Sequence, residues 1–374
     1  MRLFLSLLFL IIFSLFSPLQ AMAKLVIADG GASGYLMENN LPATVLATTM
    51  DPDIIKLDLI LSGDNKVIVF GSPYLETATN VVELFPDRQR EDGHYYALDF
   101  DLATIRTLTL KDPKNRYPAE LQSGFSISTL EEELTVLRTL EKSLNKSITI
   151  AVYLEKPWLH RKEGTDLISP VLAILQKFGY GTGAENTYLL SYDYNELQRI
   201  KKELLPEKQM QLKLVQLIDR SEGQESMIEE YGKWVPYNYE LLFFNTGLRA
   251  LSKAVIAIGL PKDMLVDSEK NLRHERFIIN AHRLGTQIFT FGIHKDTEDR
   301  LPFVRNFEEE LEFFYFTVGV DGIFTDFCLD ASNYLKERAK TPLSPLEEMG
   351  QPDPPTRAND PLQLTTSAPF EMEN

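Results

Sequence analysis

Few residues in this chain combine a reactive side chain with suggestive spacing, and the richest stretch is Asp29-Gly30-Gly31-Ala32-Ser33-Gly34-Tyr35-Leu36-Met37-Glu38-Asn39-Asn40. Glycines at 30, 31 and 34 let the backbone turn sharply, either as an anion-cradling nest of amides or as a structural turn, and spacing alone favours the turn. Ser33 lacks the spacing of a nucleophile elbow, and no phosphate-loop or dinucleotide motif occurs. Among the five histidines, His94 lies in a polar stretch and His160 follows a predicted strand. His274 and His282 are more than two helical turns apart, which reads as surface rather than as a metal pair. His294 follows another predicted strand and is a candidate for touching a ligand, against the alternative of an ordinary loop residue. The single cysteine, Cys328, reads as a packed thiol rather than a nucleophile.

Such residues must be held by elements, and short apolar runs recur along the chain with helical stretches between them. Strands are predicted at Leu25–Asp29, Ile54–Leu61, Ile148–Tyr153, Thr187–Ser191, Leu212–Ile218, Val255–Ile258, Gln287–Phe291 and Gly322–Asp326. Their near-continuous hydrophobicity is that of parallel strands buried on both faces, and eight of them predict a closed (β/α)8 TIM barrel. A helix is expected from the capping-box spacing Ser128-Thr129-Leu130-Glu131, with Leu130, Leu134, Leu137 and Leu144 on its packing face. Asp166–Phe178, Asp193–Leu205, Glu269–Leu284 and Phe307–Val318 repeat the pattern less cleanly. In this barrel class the working groups come from the C-terminal strand ends, where Asp29 lies.

Two segments break the rhythm. A polar insertion after the second strand unit, about residues 73–125, is too long for a βα loop and is expected to form a small cap. Residues 341–374 carry seven prolines with few large apolar residues and read as a disordered tail, a place for a protein partner. At the other end, Met1-Arg2, an apolar run to Phe16 and Ala21-Met22-Ala23 read as a signal peptide over residues 1–23, leaving a barrel domain over 24–340. Export to a bacterial periplasm without a stable membrane anchor follows, and one cysteine allows no internal disulfide. The net charge of −16 makes nucleic acid an unfavourable partner.

The stretch from Asp29 resembles the motif His-Arg-Gly-Ala-Ser-Gly-Tyr-x-Pro-Glu-Asn-Thr of the glycerophosphodiester phosphodiesterases, in their periplasmic form. The resemblance continues in order through Lys56-Leu57-Asp58, Val67–Ser72, Asp92–Phe100, Lys156–Gly164, Leu214–Ile218, Trp234–Tyr239 and Gly319–Phe327, covering roughly residues 25–335. It implies a TIM barrel that hydrolyses glycerol phosphodiesters to glycerol 3-phosphate and an alcohol. Two histidines would act as acid and base, an arginine would steady the phosphate, and carboxylates would hold a calcium or magnesium ion.

This chain departs from that pattern where the chemistry would occur. Asp29 and Gly30 stand at the positions of the first histidine and the arginine, and Gly71 at that of the second histidine. Of the metal carboxylates only Asp58 remains: Lys56 and Tyr153 occupy the other two positions, and Glu155 takes that of a lysine. The resemblance therefore implies a family member with impaired catalysis. An ammonium at 56, close to Asp58 and Asp29, would supply the charge of the cation and repel a divalent ion. Glu38, Asn39, Lys56, Tyr153 and His294 are candidates to line a pocket for a glycerophosphodiester or glycerol-phosphate-like ligand. Two alternatives stay open. One is an active hydrolase in which Asp29, Asp58 and Glu38 rebuild a metal site, with His294 or His94 as acid/base; the other is a cavity filled by Tyr153 and its neighbours.

Overall fold

The computed structural model describes residues 23–340 apart from 114–115, 119–123, 184–186, 221–223 and 297–299. The signal peptide expected over residues 1–23 and the tail at 341–374 thus fall outside the described residues, save Ala23.

The apolar runs form β1 (Leu25–Ala28), β2 (Ile54–Leu61), β3 (Val67–Val69), β4 (Ile150–Leu154), β5 (Thr187–Ser191), β6 (Lys213–Leu217), β7 (Met227–Glu230), β8 (Lys233–Pro236), β9 (Ala257–Pro261), β10 (Gln287–Phe291) and β11 (Gly322–Thr325). All but β3, β7 and β8 pair in parallel in the order β1-β11-β10-β9-β6-β5-β4-β2, and β1 pairs with β2, closing an eight-stranded barrel. The expected strands are these eight. β3 adds an antiparallel edge to β2 through Leu59↔Val69, while β7 and β8 form a separate hairpin.

Strand alternation decides which side chains can meet. Ile27, Ile54, Tyr153, Val215, Leu217, Phe289 and Phe324 form the barrel interior. Period two then places Asp29 beyond Ile27, Lys56 and Asp58 beyond Ile54, and Glu155 beyond Tyr153 on the same inner face, climbing toward the C-terminal mouth. The opposite faces pack against the helices in the main core, with Leu57, Val152, Leu189 and Ile258 fully buried.

The helix after the insertion spans Leu130–Leu144, but its cap is one residue later than the spacing predicted. Thr129 is the N-cap and Glu132 closes the box, because Glu132 accepts from the Thr129 amide; Ser128 instead donates to buried Glu133. Leu144 is exposed, since the helix reaches past its sheet contact before ending at Asn145 in a left-handed conformation. Tyr194–Arg199 and Phe307–Glu312 each run into a wider turn, at Ile200–Leu204 and Phe313–Val318. His274 precedes the helix Glu275–Arg283 rather than lying on it, and stacks on Phe243.

The insertion folds onto β2 and β3 with a second core of Ile60, Ile68, Phe70, Leu75, Tyr95 and Phe100. Isolated bridges Tyr74↔Tyr96 and Thr79↔Leu110 tie it together.

In the glycine-rich loop after β1, the amides of Ala32, Gly34, Tyr35, Leu36 and Asn39 all donate to backbone carbonyls, so they hold a turn rather than offer an anion nest. Gly31 is indispensable there. It has φ +83°, and a Cβ would lie 2.8 Å from the Ala43 carbonyl carbon and 2.9 Å from its oxygen, both backbone atoms. Gly31→Ala is expected to lose about 3 kcal/mol from left-handed strain plus overpacking. A urea midpoint equal to the wild type would contradict this.

Candidate functional site

The inner-face residues converge at the mouth around one cation. Lys56 Nζ lies 2.7 Å from Asp29 Oδ1 and 2.5 Å from Asp58 Oδ1, with only 11% of its side chain exposed. The ammonium stands 5.0 Å from the Tyr153 ring centroid. Burial alone would lower the Lys56 pKa, but attraction to Asp29 and then Asp58 reverses this and holds it above its ordinary value. Asp29 is pushed up, chiefly by burial and with further repulsion from Asp58 and Asp326, although Lys56 pulls it down. Asn39 fixes the other carboxylate: its Nδ2 donates to Asp58 Oδ2 at 2.9 Å while its Oδ1 accepts from the Asp58 amide.

Of the pocket candidates, Glu38, Asn39, Lys56 and Tyr153 do meet at this mouth. Glu38 is exposed to it, and its carboxyl is pushed up to about 7, by burial within the crater first and by repulsion from Asp58, Asp29 and Asp326 next. His294 reaches the mouth from beyond β10 through a different partner: its Nδ1 is 3.1 Å from Asp326 Oδ2, and Arg116 Nη1 approaches that same oxygen at 3.4 Å.

The remaining histidines do not join them. His94 stacks on Tyr74 and bonds Glu76 within the insertion. His160 is buried in the helix Pro157–Lys162, and burial pushes it down to about 4. His282 pairs with Asp321, and Cys328 is a fully buried thiol beside Met50.

Sequence reasoning missed Arg116, Asp326 and Glu225 as mouth residues, and placed Glu155 only through the resemblance, at the position of a lysine. An acid at the end of β11 or β4 was a usable signal for Asp326 and Glu155. Arg116 arrives from the insertion and Glu225 from the loop before the hairpin, where no strand period could place them. Glu155 is buried and its carboxyl is pushed up to about 8, by burial first and by Glu225 next; Lys156 lies 3.7 Å from Glu225. Tyr153, Tyr192 and Phe291 line this side edge to face, at 6.0 Å and 6.4 Å.

The donor set does not fit a divalent cation. Asp29 and Asp58 would be its ligands, but an ammonium is in contact with both. Among the described residues no three His, Cys, Asp or Glu side chains gather in an arrangement that could hold a metal ion. Tyr153 occupies the β4 side of the mouth, and a cavity of about 300 Å³ lies beside Gly71, bounded by Glu38, Asn39 and Phe70.

Residues 31–329 match the model of the glycerophosphoryl diester phosphodiesterase family. Similar proteins include a glycerophosphodiester phosphodiesterase of Treponema pallidum (strain Nichols), 33% identical over 333 residues, covering 82% of this chain and 90% of that one. Another, from Haemophilus influenzae, is 34% identical over 331 residues, covering 84% and 90%. Among solved structures, an Oleispira antarctica phosphodiesterase in complex with the product sn-glycerol-3-phosphate superposes with a TM-score of 0.57 at 17% identity, covering 84% of this chain and 97% of that one. A Parabacteroides distasonis glycerophosphoryl diester phosphodiesterase gives 0.53 at 15%, covering 88% and 92%. At such identities these two speak for the barrel alone.

Proposed function

The chain belongs to the glycerophosphoryl diester phosphodiesterase family, and from that premise we propose that it binds a glycerophosphodiester-like or glycerol-phosphate-like ligand at its barrel mouth without the family's metal-dependent hydrolysis. One observation carries this: Lys56 Nζ in contact with Asp29 and Asp58, where the resemblance puts a cation between carboxylates. The missing histidine side chains at 29 and 71 support it, because neither Asp29, tied to Lys56, nor Gly71 offers an imidazole to move a proton to or from a phosphodiester oxygen. The leader pattern and lone cysteine support a periplasmic site of action, and no described helix is long and apolar enough to cross a membrane. A partner for residues 341–374 belongs to the same proposal.

The test is direct. Purified protein incubated with glycerophosphocholine and calcium or magnesium is expected to release no glycerol 3-phosphate above the rate of buffer. Release that stops on adding a chelator would overturn the reading.

A second reading, an active hydrolase with a rearranged site, is favoured by one observation: Asp326 contacts both His294 and Arg116, a histidine oriented by a carboxylate beside a guanidinium. With Lys56 held between Asp29 and Asp58, this reading takes a metal-free form, unlike the rebuilt metal site weighed from the sequence, and requires turnover that survives a chelator and disappears in His294→Asn.

A further inference from the structure

One outer flank of the barrel carries cations that the rest of the molecule leaves unused. Elsewhere arginine finds a carboxylate, as at Arg90, Arg161, Arg199 and Arg305, in a chain where aspartate and glutamate outnumber lysine and arginine by 54 to 38. Arg249, Arg273, Arg276 and Arg283 are exposed and make no ion pair among the described residues. They fall within residues 241–284, which hold seven lysines and arginines against four aspartates and glutamates. That is a local surplus of three positive charges within a net −16.

The same stretch exposes large apolar side chains. Leu241, Phe244, Ile279 and Leu284 are between 42% and 63% exposed. Single ones are ordinary on a protein surface, but these are gathered. Phe243 stacks on His274 at 4.2 Å and packs on Phe277 at 4.8 Å, which seats residues 241–244 against the helix Glu275–Arg283. Asn280 Nδ2 donates to Asn245 Oδ1 at 3.3 Å, so Phe244 and Ile279, each next in sequence to one of these, lie beside the same contact. Leu248 and Leu251 on the helix Asn245–Ala254, with Phe277, Ile278 and Ala281 on its neighbour, are buried and leave the opposite faces outward. Helical spacing then lines Arg276, Ile279 and Arg283 along one stripe, with Arg249 one turn on from Asn245 beside it.

We infer that this flank docks reversibly on an anionic phospholipid surface, its arginines meeting headgroup phosphates while Leu241, Phe244 and Ile279 enter the acyl boundary. Charge complementarity selects the partner: a guanidinium pairs in bidentate fashion with phosphate, and basic groups beside apolar ones are what an interfacial helix presents to a bilayer. Nucleic acid offers nothing to the aliphatic side chains, and the acidic remainder of the chain repels it. A protein would have to match side chains standing out from two helices, whereas a lipid boundary takes them in any arrangement. The acidic remainder also turns away from the lipid, which gives the bound molecule one orientation. Docking on this flank is independent of what the mouth binds and of whether it turns over.

Vesicle co-sedimentation of residues 24–374 tests it, the leader pattern being left out because its apolar run would itself enter a bilayer. Binding to vesicles of phosphatidylethanolamine with phosphatidylglycerol is expected, with none to phosphatidylcholine alone and less in high salt. Arg276→Gln with Arg283→Gln should weaken it at least tenfold, and Phe244→Ser about fivefold. Lys201→Gln with Lys202→Gln, the same charge change at another exposed place, should leave it unchanged, and thermal melts of all these variants should match the wild type. Equal binding to phosphatidylcholine, an equal loss in the Lys201 and Lys202 variant, or full binding by Phe244→Ser would each overturn the docking. So would a lipid-free dimer, seen by light scattering, that Phe244→Ser disperses, since it would assign the face to a second copy.

Discussion

Replacing Lys56 by methionine is expected to destabilise the protein by about 3 kcal/mol at neutral pH, and to create a response to calcium that the wild type lacks. The side chains have similar length, so packing changes little. What changes is charge: Asp29 and Asp58 lose an ammonium 2.7 Å and 2.5 Å away and are left facing each other at the barrel mouth, their side chains only 28% and 11% exposed. Removing one partner of a buried pair costs several kcal/mol because the other charge stays desolvated, and the partial exposure of Asp29 places the loss at the low end of that range. Two routes of relief are open to the variant. Lowering the pH protonates the carboxylates, so the deficit shrinks on the acid side. A divalent cation can also take the vacated place between Asp29 and Asp58, with water completing its oxygen shell, and binding to the folded state alone raises its stability, by about 2.7 kcal/mol at a hundredfold excess over Kd. Thermal melts with and without calcium read both effects. If Lys56→Met melts like the wild type, or if calcium raises the wild-type melt equally, Lys56 does not stand in for a cation.

Such a pairing could be anticipated because the strand period is the strongest signal in this sequence. Ile54, Lys56 and Asp58 alternate with Ile55, Leu57 and Leu59, so two opposite charges had to share the inner face of β2. Ile54–Leu61, Thr187–Ser191 and Gln287–Phe291 keep the limits read from the sequence, since a strand buried on both faces is apolar along most of its length even where it carries an inward polar residue such as Lys56 or Asp58. The hairpin of β7 and β8 carried no comparable pattern: Met227-Ile228-Glu229-Glu230 is half-exposed and packs on no sheet, although Tyr231-Gly232 at its tip, with φ of +51° and +77°, is a turn signal that could have been used. The capping box slipped by one residue because Ser128 and Thr129 are chemically alike and each has a glutamate three residues on, Glu131 and Glu132, so the spacing fits either. At the mouth, Asp29 was legible through its place at a strand end, and Lys56, Asp58 and Tyr153 through the positions that the resemblance assigns them. Arg116 was not, because its approach to Asp326 spans 210 residues and depends on how the insertion folds back, which no local periodicity encodes.

Glu155 should dominate the pH dependence of stability. Its carboxyl titrates near 8 in the folded protein against an ordinary value of 4.5, pushed up by burial and then by Glu225, which is itself raised by burial. Between those two values the folded chain holds a proton that the unfolded chain releases, so the contribution is fully present below about 4.5 and is lost as pH rises through about 8. Glu133, pushed up to about 7 chiefly by its burial, works in the same direction. Urea unfolding is therefore expected to show stability falling between mildly acidic and mildly alkaline pH. Glu155→Gln, neutral at every pH, should match the wild type on the acid side and exceed it by about 3 kcal/mol on the alkaline side, a shift of that size being worth about 1.4 kcal/mol per pH unit before relaxation of the Glu225 neighbour. A wild-type profile that is flat or rising across this range, or a Glu155→Gln profile parallel to it, would show that the carboxyl is ionised throughout. A neutral acid here would also explain how the mouth tolerates a carboxyl where the family resemblance places a lysine: while protonated, it adds no charge to a rim that Asp29, Asp58, Glu38 and Asp326 already make acidic.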